Sequence, residues 1–298
     1  MTVWLDKFVI YQNKDYVDTN IFDRNGRYIG GNYPADIFPA KNLREVDFDK
    51  ITIFYGGNGS GKTTLLNLIA ENLNLIRTSP FNSNENFDEF AKLCKAKMGY
   101  GDYGEELRIP NGSKIICSDD IFEYMLNIRE NNQNITESRE VAEKDFYQKR
   151  YYETVKVKGM IDYDDLRLRV LANKKKMTAR QFKRLTAGEE LKLDSNGETA
   201  LRYFIVHLEN DKLYLLDEPE NSLSPKKQIE LMQLIEELSR YCGCQFIIAT
   251  HSPFLLGINS AKIYDLDANP VDIKNWWELE NPKIYYEFFK KYKDKFEN

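Results

Sequence analysis

The residues best suited to chemistry are Gly56, Gly57, Asn58, Gly59, Ser60, Gly61, Lys62 and Thr63, spaced as G-x-x-x-x-G-K-[ST]. Glycines in such a loop let successive backbone N–H groups turn inward around phosphate oxygens, and the start of the next helix adds partial positive charge. Lys62 would neutralise phosphate oxygens and the Thr63 hydroxyl would ligate Mg²⁺. Residues 56–64, with Thr64 closing the set, are therefore the candidate nucleotide-binding segment. A second constellation is the apolar run 213–216 that closes on Asp217, Glu218, Pro219 and Glu220. An acid at the end of a buried strand suits the Mg²⁺ shell, which is the expectation for Asp217, and the next acid, Glu218, suits the general base that takes a proton from attacking water. A third is His251, directly after the apolar run 245–250, where a neutral imidazole could hydrogen-bond a γ-phosphate and the attacking water. Ser195 and Glu198 form a capping box, Ser195 as N-cap, with Gly197 between them.

These groups work only if strands and helices hold them. The β-branched and aromatic run 51–55 precedes the glycine loop, and Leu65, Leu66, Ile69 and Leu73 recur at helical spacing after it, so the order is strand, loop, helix. Residues 213–217, 245–250 and 262–266 read as further strands, and Ser224-Pro225 as the cap and first residue of a helix over 226–240 with Ile229, Met232, Ile235 and Leu238 inward. Leu201, Phe204, Ile205 and Leu208 predict a helix over 197–208, packed on the sheet. Strands alternating with helices imply an α/β fold with a mostly parallel central sheet. Alternating stretches at 3–10 and 26–30, with turn signals between them, predict a small N-terminal antiparallel β subdomain. Residues 76–193 read as an inserted, mostly helical lobe, with loops at 82–86, 99–104, 111–113 and 131–139 and charged helices over 140–152 and 166–185. Residues 267–298 read as a C-terminal helical extension, aromatic-rich over 276–296, so that 1–298 is one domain.

Composition narrows the function classes. With 298 residues, 42% apolar and 30% charged, the chain can bury a full core without disulfides or structural metal. The longest apolar runs are far below the roughly 18 residues of a membrane span, so a cytoplasmic protein without a membrane partner is expected. Cys94, Cys117, Cys242 and Cys244 lack zinc spacing and read as reduced thiols, and His207 reads as structural. The net charge of −5 leaves nucleic-acid contact to a local patch. One candidate exists: Arg167, Arg169, Lys174, Lys175, Lys176, Arg180, Lys183 and Arg184 occur without an intervening acid, which fits either a solvated helix or a polyanion-binding surface.

The loop GGNGSGKTT, the strand LYLLDEPE, NSLSP, SNGE and FIIATHSP together resemble an ABC-type P-loop ATPase of the non-transporter branch, which contains the structural-maintenance-of-chromosomes, recombination-repair and overcoming-lysogenization-defect ATPases. The wording is most similar to small bacterial proteins identified as predicted AAA-family ATPases. The resemblance implies a P-loop NTPase fold, ATP and Mg²⁺ as cofactors, Lys62 and Thr63 on phosphate and metal, Asp217 as the metal-shell acid, Glu218 as catalytic base and His251 as switch histidine. It also implies a head-to-tail homodimer in which Ser195 and Gly197 bind the γ-phosphate held by the other subunit and residues 221–224 cross the interface. The chain departs from the family pattern at the signature, where Asp194-Ser195-Asn196-Gly197-Glu198 lacks a leucine and a glycine, and at the Q-loop, for which Asp119 or Asp120 is the nearest substitute. A switch for an effector protein or nucleic acid, of the repair or phage-defence (antiviral) kind, is the leading implication. The alternatives are an ATP-gated binding module with little turnover and a transporter's nucleotide-binding subunit.

Overall fold

The computed structural model describes residues 2–12, 33–34, 37–81, 83, 85–151, 163–174, 177–187 and 196–296. The alternating stretch expected at 26–30 and the N-cap Ser195 lie outside them. The chain divides into two compact units, residues 1–121 with 196–298, and residues 122–195.

In chain order the first unit begins with β1 (Leu5–Val9), α1 (Ile37–Ala40), β2 (Glu45–Asp47), β3 (Ile51–Tyr55), α2 (Lys62–Asn72), α3 (Glu85–Leu93), β4 (Lys95–Met98) and β5 (Lys114–Cys117). Helix α4 (Ser118–Tyr151) starts there and continues into the second unit, which also holds α5 (Tyr163–Ala172) and α6 (Ala179–Ala187). The first unit resumes with α7 (Asn196–His207), β6 (Leu213–Asp217), α8 (Pro225–Tyr241), β7 (Gln245–Thr250), α9 (Pro253–Leu256), β8 (Lys262–Asp265), β9 (Asp272–Ile273) and α10 (Glu280–Lys291).

Six strands form the main sheet in the order β5-β6-β7-β3-β8-β9, parallel except for β9 at the edge. Every residue of β3, β6 and β7 is buried, which is why these strands read as continuous apolar runs and not as alternating ones. Register sets up the site: Cys117 lies opposite Asp217, Asp217 opposite Ala249, and Tyr55 opposite Thr250. The carboxyl ends of four adjacent strands are thus level, and each chain exit leaves the sheet at the same edge. The antiparallel sheet has the order β2-β1-β4, and Gln245 ties it to β7 by accepting from Leu5 N at 2.8 Å and donating to Leu5 O at 2.8 Å.

Several expectations change in detail. Of residues 76–193, read as one helical lobe, β4 pairs in the antiparallel sheet and β5 in the main sheet, and the separate compact unit covers 122–195. The loop expected at 131–139 is absent, because α4 is a single helix of 34 residues. The single helix expected over 166–185 is two, α5 and α6, and at the start of α6 Thr178 and Gln181 exchange backbone-to-side-chain hydrogen bonds at 3.2 Å. Ala142 and Phe146 of α4, Ala172 of α5 and Phe182 of α6 make this unit's small core. In α7, Ala200, Leu201, Tyr203 and Phe204 face inward while Ile205 is exposed, and in α8 the buried stripe is Leu231, Ile235 and Ser239, with Ile229 outside. Both stripes are rotated by about one residue from the apolar pattern. Ser239 takes a core position, and its backbone carbonyl accepts from Lys50 Nζ at 3.1 Å. The four cysteines are free, and His207 stacks on Tyr203 with ring centroids 4.1 Å apart.

Candidate nucleotide site

The turn between β3 and α2 depends on glycine conformation at two points. Gly59 has φ +81° and Gly61 φ +98°, both in the left-handed region, and a Cβ on Gly61 would come within 3.1 Å of Ile37. The loop therefore curls back over the start of α2. Lys62, 4% exposed, points into the curl and donates to the carbonyls of Gly56 at 2.8 Å and Gly57 at 3.0 Å. Ser60 Oγ is buried with no hydrogen-bond partner, so the loop holds an unsatisfied polar atom facing a cradle of backbone. A cavity of about 320 Å³ opens over it, lined by residues 58–64, Glu218, Tyr33 and Ile37. That is the lower end of the size range for small-ligand pockets.

Strand β6 and the residue that follows it deliver the two acids. Thr63 Oγ1 donates to Asp217 Oδ1 at 3.0 Å. Hydroxyl and carboxylate oxygens are the hard donors Mg²⁺ takes, so this pair fits that ion as part of a shell completed by phosphate and water. Burial pushes the Asp217 carboxyl up to about 6; Glu218 reinforces the rise, while the Thr63 hydrogen bond and Lys62 oppose it. Glu218 sits at φ +47°, unusual for a side chain with a Cβ, with its N–H donating to Ala249 O at 2.9 Å. Its Oε1 lies 3.8 Å from Lys62 Nζ and 3.8 Å from His251 Nδ1, and Asn221 Nδ2 donates to its Oε2 at 3.3 Å.

The expected residues divide by location. Lys62, Thr63, Asp217, Glu218 and His251 come together at the level strand ends. Gly197 is not in the cavity: it lies beside the loop before α8, where an added Cβ would be 3.6 Å from Ser222 O and 3.7 Å from Ser224 N. The two nearest substitutes for a Q-loop residue differ in their surroundings. Asp120, 4% exposed, is consumed by Ser79 N, Ser79 Oγ and Cys117 N at 2.6–2.8 Å. Asp119 instead lines a cleft of about 270 Å³ with Thr63, Asp217 and Arg77.

Sequence reasoning missed four contributors. Tyr33 stacks on Phe87 and its hydroxyl lies 3.2 Å from Thr64 Oγ1, at the mouth of the cavity. Lys41 Nζ donates to Ser60 O at 2.7 Å and to Leu266 O, and Asp267 accepts from Gly57 N at 2.7 Å, so the exit of β8 braces the glycine loop. Glu220 is buried under His251. Only Glu220 carried a local signal, as the third acid of the DEPE run.

The raised Asp217 has a measurable consequence. Between about 3.8 and 6 the folded, ligand-free protein binds a proton that the unfolded chain does not, so stability falls as pH rises through that window and stays lower above it. An amide oxygen at Asp217→Asn still accepts from Thr63 and carries no charge to bury. The variant should melt about 3 °C or more above wild type at pH 8, and the gap should narrow as pH falls toward 4. Adding Mg²⁺ and ATP should reverse the order at pH 8. Scanning calorimetry across pH checks both.

A family described as "AAA domain, putative AbiEii toxin, Type IV TA system" matches residues 122–257, the stretch that carries Asp217, Glu218 and His251. No curated protein matches the chain. Among solved structures, the SMC head domain from Thermotoga maritima is 13% identical, with 92% of this chain and 99% of that one covered at a TM-score of 0.39. An ATP-binding cassette in a dimeric post-hydrolysis state bound to ADP and Pi is 14% identical, with 78% and 90% covered at 0.34. The cbiO1 protein from Clostridium perfringens, part of an ABC transporter complex, is 17% identical, with 93% and 90% covered at 0.31. Residues 122–257 are thus similar to that AAA-type domain family, and the parallel sheet, the strand–glycine loop–helix unit and the acid-ended strand aligned beside it make the P-loop α/β arrangement expected from the sequence.

Proposed function

We propose that the protein binds and hydrolyses Mg²⁺-ATP in composite sites of a head-to-tail homodimer, and that dimer closure and opening switch a partner protein or nucleic acid in a repair or phage-defence role. The observation that carries the reading is the convergence of Lys62, Thr63, Asp217 and Glu218 within 4 Å contacts at one sheet edge. In this reading Gly56, Gly57, Asn58, Gly59, Ser60, Gly61 and Thr64 wrap the phosphates with backbone and hydroxyl donors, and Lys62 neutralises them. Thr63 and Asp217 hold Mg²⁺, which supplies charge neutralisation at the phosphate oxygens. Glu218 accepts the proton of the attacking water, with His251 beside it.

Ser195 and Gly197 act in trans. Supporting this is the position of Gly197 against Ser222 and Ser224, since the two segments expected to meet a second copy then lie side by side. The AbiEii-type description of the matching family favours a defence setting. A large charged side chain at Ser195 would occupy the facing phosphate site, so Ser195→Arg should block ATP-dependent dimerisation and leave monomer binding intact. Sedimentation of Glu218→Gln protein with ATP is the test, and equal dimerisation with and without Ser195→Arg rejects the composite site.

A further inference from the structure

Glu220 is the one acid of the DEPE run that faces no cavity. It is 6% exposed, and its Oε1 accepts three hydrogen bonds from the corner after β7: Thr250 Oγ1 at 2.6 Å, His251 N at 3.0 Å and Ser252 N at 3.2 Å. The corner is locked further by Ser252, whose hydroxyl donates to Gln228 Oε1 at 2.7 Å and caps α9. The other oxygen, Oε2, is buried with no hydrogen-bond partner. A buried carboxylate with an unused oxygen is costly unless a donor comes to it. His251 Nδ1 lies 3.5 Å from Oε1, the oxygen that already accepts the three bonds, and a ring shift of about half an ångström would bring it to hydrogen-bond distance.

We propose that Glu220 is a positioning residue that fixes the tautomer of His251, holding the proton on Nδ1 and leaving Nε2 as the lone-pair nitrogen. The proposal rests on the reading of His251 given above and decides between its two options. A neutral imidazole with Nδ1–H directed at carboxylates has no hydrogen at Nε2, so it cannot donate to a phosphate oxygen. It can accept one from water. Glu218 Oε1 lies 3.8 Å from the same Nδ1, beyond a hydrogen bond but close enough for its charge to favour a proton there, so Glu218 and Glu220 bias the ring in the same sense. The histidine then orients the attacking water from one side while Glu218 takes its proton, and no proton leaves the imidazole during the step. A third group that orients a histidine by accepting from Nδ1 is an established physical device for keeping Nε2 available.

The chain contains only two histidines, so a long-range ¹H–¹⁵N spectrum of the full-length protein separates the tautomers of His251 from His207 without any substitution. The expected result is a proton on Nδ1 of His251 in wild type, and a shift toward the Nε2–H form in Glu220→Gln, whose amide keeps an oxygen for the three backbone and hydroxyl donors but removes the negative charge that favours a proton on Nδ1. In turnover assays Glu220→Gln should lower kcat about tenfold or more with KM for ATP unchanged, and adding it to His251→Ala should cost nothing further. An Nε2–H tautomer in wild type, or losses that multiply in the double variant, would overturn the proposal. Full turnover in His251→Ala protein would instead remove the histidine from the reaction and reject the earlier reading, while the spectrum would still decide whether Glu220 sets the ring.

Discussion

Glu218→Gln should bind ATP as tightly as wild type and lose turnover by about 10²-fold or more, whereas Lys62→Ala should lose both. The two residues are 3.8 Å apart, yet they act on different states. Lys62 is buried inside the glycine loop and bonded to its carbonyls, so ground-state phosphate binding must pass through it. Glu218 is partly exposed on the cavity wall and offers an acceptor only for a proton that leaves water in the transition state. Replacing its carboxylate by an amide preserves size and the hydrogen bond from Asn221, and removes basicity. It also removes a negative charge beside incoming phosphates, so affinity in Glu218→Gln should be equal or higher. Equilibrium binding and single-turnover hydrolysis separate the effects. Normal turnover in Glu218→Gln protein would sink the assignment of the base, and unchanged affinity in Lys62→Ala would sink that of the loop. Slow wild-type turnover with tight ATP binding would favour the gated binding module.

What was legible in the chain before folding is what local chemistry determines. The glycine loop is readable because its conformation needs φ values near +81° and +98° that only glycine adopts freely, and β3, β6 and β7 are readable because strands buried on both faces must be apolar throughout. Asp217 and Glu218 stand out because charge at the end of such a run is costly without a use. The rest depends on partners distant in sequence. Residues 130–137, Glu-Asn-Asn-Gln-Asn-Ile-Thr-Glu, have poor helix propensity and read as a loop, yet Asn132 is 4% exposed and Thr136 bonds back to its carbonyl at 2.8 Å, so tertiary context carries α4 through. Ile205 and Ile229 fit apolar periodicity and lie outside, because sheet packing selects a face that includes Tyr203 in α7 and Ser239 in α8. The difference in surroundings between Asp119 and Asp120 turns on Ser79, which lies about forty positions away. Glu220 acquires its place only from the register of β6 against β7, which brings Thr250 and His251 over it. Nothing local specifies that.

The second large effect concerns the second unit. Its α4–α6 cleft, about 850 Å³, carries Arg139, Arg180, Lys183 and Arg184 with Glu140 and Glu143, and Lys183 is already paired to Glu143 at 2.7 Å. The cations outnumber the acids there, and Arg167, Arg169 and Lys174 are close in sequence, so a local excess of positive charge coexists with a net charge of −5. If two copies present this unit in fixed relation when ATP closes the dimer, the cationic surface doubles and polyanion affinity should rise with ATP. Each neutralised phosphate adds roughly 0.7 to 0.9 to the slope of log affinity against log salt, so a surface that engages about five phosphates should lose more than a hundredfold between about 50 and 200 mM salt. Binding of a 30-mer duplex and a single strand to Glu218→Gln protein, with and without ATP, measures this directly. Lys174→Glu, Arg180→Glu and Arg184→Glu together should abolish it and flatten the salt slope. Single-strand preference would point to base stacking beside the basic surface, whereas equal affinity for both forms would leave the phosphates as the main contact. Binding that is absent, or indifferent to both the triple change and ATP, would reject the nucleic-acid reading, and the cleft would then be assigned to an acidic protein partner.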